Sequence, residues 1–324
     1  MASLQSLTGG GAFTRQNATQ INNNFTALNT VDFWVRPQKG NNNGNGSVVH
    51  THGSYDNAFA TMTGVSRYWT PGIVVGLEGV LLEEFSMPTG VNDITILGMG
   101  NQPRQATTSG VANGGGATWL SPSGGTGALL TLNGQATTVR NIFFNNSATA
   151  NPCILLTNTG DGPALANAEH TVIDGCIFTG TDDGVKSTGL PNWVTIQNSK
   201  FFGFSGSGDL AISYTVGAGT GTLLGWSILN NQFLGNAGHI TAGLASAEIA
   251  YNHFSYIWGA VTSTTQVVLT GGANNSVHHN TFDVPNSQNG ITAMFAEGTN
   301  DRWMNNTMGT AVTTTLTRWG VPAS

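Results

Sequence analysis

The stretch Ile228-Leu229-Asn230-Asn231-Gln232-Phe233 sets the pattern from which the fold is read: an aliphatic residue, any residue, two small or polar residues, any residue, then Phe. The phrase recurs as Val139 to Phe144, Val172 to Ile177, Ile196 to Phe201, Ile249 to Phe254, Val277 to Phe282 and, more loosely, Trp303 to Met308. The starts lie about 21 to 33 residues apart, the period of a solenoid built from one supersecondary unit per repeat.

Two strands that meet at a bend of one or two residues need a backbone near the left-handed region, which Asn tolerates better than other non-glycine residues. The Asn is therefore expected at a corner. Stacking the copies sets Ser199, Asn231, Asn252, Asn280 and Asn306 above one another at about 4.8 Å, the spacing of paired strands, with side-chain amides able to bond up the stack. The aliphatic and Phe positions are expected to stack inside as apolar columns. A third strand per turn is legible at Ala128 to Leu132, Cys153 to Thr157, Gly184 to Ser187, Leu210 to Tyr214, Gln266 to Thr270 and Gly290 to Met294. Three strands per coil predict an all-β, three-sided parallel β-helix.

The corner sequences NNQF, YNHF, HNTF and NNTM resemble the repeat of right-handed parallel β-helices of the pectate-lyase-like superfamily, over about residues 90 to 320. Handedness is what this resemblance implies. Composition agrees: charged residues are 8% of the chain against about 25% in ordinary globular proteins, and Gly, at 45 of 324, is about double its usual share. A hydrophobic content of 39%, arranged in register, argues for a packed solenoid and against disorder.

The net charge of -6 comes without a Lys/Arg-rich run or aromatic-basic interleaving, so nucleic acid is not an expected ligand. No apolar run approaches the roughly eighteen residues of a membrane span, so no membrane insertion is expected. The opening MASLQSLTGGG lacks the basic region and apolar stretch of a secretory signal, so synthesis in a cytosol without general export is expected. The two cysteines, Cys153 on a third strand and Cys176 beside a corner, fall on different faces and are expected to be free thiols. Asn17-Ala18-Thr19 and Asn24-Phe25-Thr26 are chance glycosylation triplets in an Asn/Thr-rich chain.

Thr14 to Asn29 carries Ile21, Phe25 and Leu28 at helical spacing on a polar segment, a stripe suited to docking or trimerisation, or to packing on its own solenoid. Phe33 to Gly46 then leads to a short helix expected over Tyr55 to Met62. This arrangement resembles the opening of phage-encoded β-helix proteins, where the helix plugs the first coil and hides its unpaired edge. The expected division is an attachment and oligomerisation segment at 1–46, a capping helix and first coil at 47–90, and the β-helix at 91–324. Gly72 to Phe85 supplies the first coil, and Asp93 to Gly98 the strand into the stack.

Glu78, Glu83 and Glu84 alternate with apolar residues, the pattern of a strand's solvent face. Asp182 and Asp183, with Asp161 one coil before and Asp209 one coil after, stand at spacings that place carboxylates about 5 to 10 Å apart, where two can divide acid, base or nucleophile roles. Asp182-Asp183 also resembles the paired aspartates of polygalacturonase-type hydrolases, and Asn158-Thr159-Gly160-Asp161 approaches their Asn-Thr-Asp. Their Gly-His-Gly and Arg-Ile-Lys have no counterpart, Ser205-Gly206-Ser207-Gly208 standing in the first place. For a lyase, Arg140 and Lys186 are the basic candidates, and no calcium loop is present. Asp-Asp-Gly reads equally as turn chemistry, so no catalytic residue is assigned.

His50-Thr51-His52 resembles the His-x-His iron sites of phage membrane-piercing spikes, whereas His278 and His279, adjacent on a strand, are expected to point to opposite faces. Both pairs read as surface polar residues, and neither metal nor cofactor is expected. Trp193, Trp226, Trp258 and Trp303 have sizes and polar handles suited to stacking on sugars or to the core.

Low charge, a docking-like N-terminus and no secretory signal resemble phage virion proteins. The expectation is a structural protein of a tailed-phage particle, assembled in the host cytoplasm and joined to other virion proteins through its N-terminal segment. As a homotrimer it would be displayed as a spike, fibre or capsid decoration. The chain's stopping soon after Trp319 favours a compact particle component. The alternatives are a tailspike depolymerase cutting bacterial surface polysaccharide and a noncatalytic carbohydrate-binding module.

Overall fold

The computed structural model describes residues 31–37, 58–99, 117–147, 151–159, 167–206, 208–215, 222–255, 267–269, 271–284, 295–296, 299–310 and 313–319. The stripe Ile21, Phe25 and Leu28, the pair His50 and His52, Asp161 and Trp258 lie outside them.

The chain winds through three sheets in turn, so that each strand pairs in parallel with its equivalents in neighbouring coils. In one coil, Ser227–Leu229 lies in the first sheet, Gln232–Leu234 in the second and Gly238–Thr241 in the third. Register places Val139, Ile173, Ile196, Ile228, Ile249 and Val277 in one column. Phe144, Phe178, Phe201, Phe233, Phe254 and Phe282 form the next. Both columns are buried, as their apolar character demands.

The Phe column is a face-to-face stack. From Phe144 to Phe282 successive ring centroids lie 4.7 to 5.3 Å apart with planes within 12° of parallel. Trp119 continues it at 5.6 Å from Phe144. This register corrects one copy of the phrase. Val172 pairs with Thr195 and Ile173 with Ile196, so the copy is Ile173 to Phe178 and not Val172 to Ile177. Two consecutive aliphatics, with no Asn between Asp174 and Cys176, leave the sequence ambiguous by one residue there.

The corner also divides its labour differently from the sequence reading. The left-handed residues are Asn141, Gly175, Asn198, Asn230, Tyr251, His279 and Asn305, with φ between 52° and 64°. The ladder residue is the one after, turned inward and buried. Its Oδ1 accepts the backbone N–H of the ladder residue one coil before: Ser199 N to Asn231, Asn231 N to Asn252, Asn252 N to Asn280 and Asn280 N to Asn306, all at 2.9 to 3.0 Å. Each Asn Nδ2 donates to a first-sheet carbonyl of the preceding coil, as Asn231 does to Ile196. Cys176 and Ser199 occupy the earlier rungs, with the Ser199 hydroxyl accepting the Cys176 N–H at 3.1 Å. Cys153 and Cys176 are free and buried, and burial pushes both thiols up to about 12.

Third-sheet strands appear at Leu130–Leu132, Ile154–Thr157, Val185–Thr188, Leu210–Thr215 and Val267–Val268, matching the expected positions. Residues 290–294 lie outside the described set, and the rung there is Phe295–Ala296. Gly238–Thr241 is an additional rung whose pattern hides in the sequence because fully buried His239 stands among its small and aliphatic residues.

At the N-terminal end the helix is Met62–Ser66, capped by the Thr61 hydroxyl; of the expected span Tyr55 to Met62, residues 55–57 lie outside the described residues and residues 58–61 are not helical. Phe59 instead bridges to Val35, while Met62 and Val65 are buried over the first coil. Phe33–Val35 adds a rung to the first sheet ahead of Val74–Leu77. The three glutamates are coil fasteners, not a bare solvent face. Glu83 accepts the N–H groups of Met62 (2.7 Å) and Thr63 (3.0 Å), Glu84 that of Gly127 (2.7 Å), and Glu78 pairs with Arg36 at 3.1 Å. At the far end Thr313–Trp319 folds back antiparallel on Asn306–Thr310 and forms the last strand of the second sheet.

His239 gives the fold an acid-sensitive point. Asn236 Nδ2 lies 3.3 Å from its Nδ1, and because an amide nitrogen only donates, Nδ1 accepts and Nε2 carries the proton. The ring also packs against Phe233 and Phe254. Burial lowers its pKa from 6.5 to about 3. The unfolded chain therefore takes up a proton that the folded chain refuses, so stability is lost as pH falls from about 6.5 towards about 3. Denaturant melts across this window should show that loss, and it should be smaller in His239→Leu than in the native protein.

Candidate functional site

Two places concentrate polar side chains on this frame. The first is the turn entering Val185–Thr188. Asp183 is buried, and its carboxylate accepts the Leu210 N–H at 2.9 Å and the Ser213 hydroxyl at 2.6 Å from the next coil. Lys186 Nζ lies 3.1 Å from Asp183 and 3.8 Å from Asp182. Burial raises the Asp183 pKa against the opposing Ser213 bond and Lys186 charge. Burial would lower that of Lys186, but the Asp183 carboxylate outweighs it and raises it. Asp209 accepts the Gly206 N–H at 2.8 Å, and burial raises its pKa. Gly184 is required by space, since a Cβ there would lie 2.6 Å from the Ala211 carbonyl.

Chemically this cluster is a fastener between coils. A general base or nucleophile needs a carboxylate oxygen within reach of substrate, and both Asp183 oxygens are engaged by the fold. Asp183→Asn is expected to keep the fold while losing the Lys186 pairing, at a cost of about 2 kcal/mol in a urea melt.

The second place is the outer side of the corner between the first and second sheets. A groove of about 370 Å³ runs across four successive coils there, lined among others by Gly175, Asn198 and Lys200, Asn230 and Gln232, and Tyr251 and His253. Its amides are held in a fixed order. Arg140 donates to Asp174 Oδ2 at 2.9 and 2.6 Å, Asn198 Nδ2 to Asp174 Oδ1 at 2.8 Å, and Asn230 Nδ2 to Asn198 Oδ1 at 2.7 Å. Burial alone would raise the Asp174 pKa, but the hydrogen bonds from Asn198 and Arg140 outweigh it and hold it low.

Tyr251, 59% exposed at the groove's end, stacks on His279 with centroids 5.2 Å apart and planes 15° from parallel. His279 in turn meets His278, Nδ1 to Nδ1 at 2.8 Å, and His278 Nε2 lies 3.1 Å from Glu248. The expectation that adjacent histidines point to opposite faces fails because strand alternation ends at His278, and the left-handed His279 swings its ring back alongside. Among the described residues no group of three His, Cys, Asp or Glu side chains is placed to hold a metal, and no helix is long and apolar enough to cross a membrane.

The tryptophans separate. Trp226 is buried and donates its indole N–H to the Pro191 carbonyl at 2.8 Å, and Trp303 is half-buried against the core. Trp193 is 54% exposed and lies flat on Gly225, where a Cβ would come within 2.2 Å of the ring. Lys200, Gln232, Tyr251 and His253 escaped the sequence reading as site residues. They occupy the third and fifth positions of the repeated phrase, which at the three corners from Asn198 to His253 reach the outer surface.

No family model matches the chain, and no curated protein matches it in sequence. Among solved structures, an alginate lyase from Paenibacillus sp. str. FPU-7 is similar over 75% of this chain and 82% of its own, at 18% identity and a TM-score of 0.52. A pectin methylesterase from Aspergillus niger is similar over 83% and 90%, at 13% identity and 0.47. The Dettilon tailspike protein is similar over 75% of this chain and 59% of its own, at 12% identity and 0.33. At such identities the likeness speaks to architecture. The chain has the right-handed parallel β-helix fold.

Proposed function

We propose that this chain is a structural β-helix displayed on a tailed-phage particle, acting as a homotrimer that holds to a host-surface polysaccharide without cutting it. One observation carries the noncatalytic reading: Asp183, one of the three carboxylates a depolymerase would bring together, is buried between Leu210, Ser213 and Lys186, while the amide-lined corner groove stays open. The stacked Phe column and the amide ladder make a stiff rod, which suits display outside the cell in which it is assembled. Residues 1–46 would join the rod to other virion proteins. The fold shared with a lyase does not bring lyase activity with it, since this fold hosts unrelated chemistries.

The test is to incubate purified protein with the polysaccharide of a susceptible host. Retention on the polysaccharide with no new reducing ends or unsaturated products is expected, unchanged in Asp182→Asn and Asp209→Asn. Release of oligosaccharides that either substitution abolishes would replace this reading with a depolymerase.

A further inference from the structure

The corner groove contains a cation without a counter-ion. Among the described residues, Arg36 is paired with Glu78, Arg140 with Asp174 and Lys186 with Asp182 and Asp183, whereas Lys200 has no carboxylate partner. Its ammonium sits 5.5 Å from the Phe202 ring centroid, half-buried, and no Asp or Glu lines the groove around it. A partly desolvated ammonium gains more from an incoming anion than one in free water.

Around Lys200 the groove repeats itself. Asn198, Asn230 and Tyr251 stand at successive left-handed corners, and Lys200, Gln232 and His253 at successive outward positions of the second sheet. Four coils at the spacing of paired strands span about 14 Å. One hexopyranose ring advances by about one coil step, so a chain of three or four sugars laid along the solenoid axis meets Asn198 and Lys200 on one coil, Asn230 and Gln232 on the next, and Tyr251 and His253 on the one after. Tyr251, braced by His279, closes one end with an aromatic surface fixed before any ligand arrives, which lowers the ordering cost of binding.

We infer that this groove takes a linear acidic oligosaccharide, with a sugar carboxylate at Lys200, hydroxyls on Asn230 and Gln232, and a sugar ring against Tyr251. The inference rests on the adhesion reading for its ligand class and locates the contact away from the Asp182 cluster.

The experiment is calorimetric titration of the full chain with tetragalacturonate, tetramannuronate and a hyaluronan tetrasaccharide, with a neutral galactose tetramer as control. At least one acidic tetramer is expected to bind more tightly than the neutral one. Lys200→Gln and Tyr251→Ala should each weaken it about tenfold or more, and Lys200→Arg should retain most of the affinity. Both side chains reach solvent, so unchanged melting temperatures certify the variants. Failure of all three acidic tetramers to bind at millimolar concentration, equal binding of the neutral tetramer, or affinity indifferent to both substitutions would overturn the inference. If host polysaccharide is retained but is indifferent to Lys200 and Tyr251, adhesion stands and this groove assignment falls. If an acidic tetramer binds here but host polysaccharide is not retained, the adhesion reading falls instead.

Discussion

Replacing Phe233 by Ala is expected to destabilise the protein by about 3 to 5 kcal/mol, the range for deleting a fully buried aromatic ring. Phe233 lies 5.1 Å from Phe201 and 4.7 Å from Phe254, and the His239 ring packs on it at 5.6 Å. Parallel strands on both sides prevent the column from closing the gap. In a solenoid each coil touches only its neighbours, so a hole at Phe233 also weakens the coupling between the coils before and after it. A urea melt followed by circular dichroism should therefore show a lower midpoint and a broadened or split transition. A loss under about 1 kcal/mol would mean that the stack contributes little beyond filling space.

Asn252→Ala is expected to cost about 4 kcal/mol, because it strands several buried polar groups at once. Asn252 Oδ1 accepts from Asn231 N (2.9 Å) and Nδ2 (3.1 Å), and its own Nδ2 donates to Ile228 O (2.8 Å) and Asn280 Oδ1 (3.0 Å). None of these partners can turn to water without opening the corner. Asn252→Ser should cost less, since Ser199 serves at the same ladder position by accepting from Cys176 N and donating to the Gln197 carbonyl at 2.8 Å. Thermal melts rank the pair, and hydrogen exchange at the Asn231 amide reports the site directly. Faster exchange confined to that corner is the expected signature, and an unchanged rate would deny the ladder its role.

The columns were legible because a Phe or aliphatic residue recurs once per coil and nowhere else fits the interior. What the sequence concealed is local. Asn suits both the left-handed corner and the inward ladder, so Asn230-Asn231 does not reveal which residue does which. Tyr251-Asn252 and His279-Asn280 do, since only the second residue is always small and amide-bearing in the later coils. The one-residue slip at Val172 arose where Cys176 replaces the ladder Asn. The Gly238–Thr241 rung was hidden by a buried His239, whose polar character counts against a core position until Asn236 supplies its partner.

The candidate sites were less legible for a physical reason. Asp182, Asp183 and Asp209 stand at spacings compatible with catalysis, but spacing cannot show that the Leu210 N–H and the Ser213 hydroxyl converge on Asp183. Glu83 and Glu84 looked like a solvent face because alternation was extended past the strand Val80–Leu82, where both residues instead turn to bond backbone N–H groups. Lys200 and Tyr251 form a site only through the alignment of separate coils.

The measurement that bears most directly on the proposed role is the solution mass of the purified protein together with electron microscopy of particles carrying a tag after Ser324. A trimer, seen at defined positions on the particle, is the predicted result. A monomer absent from every particle would contradict the account.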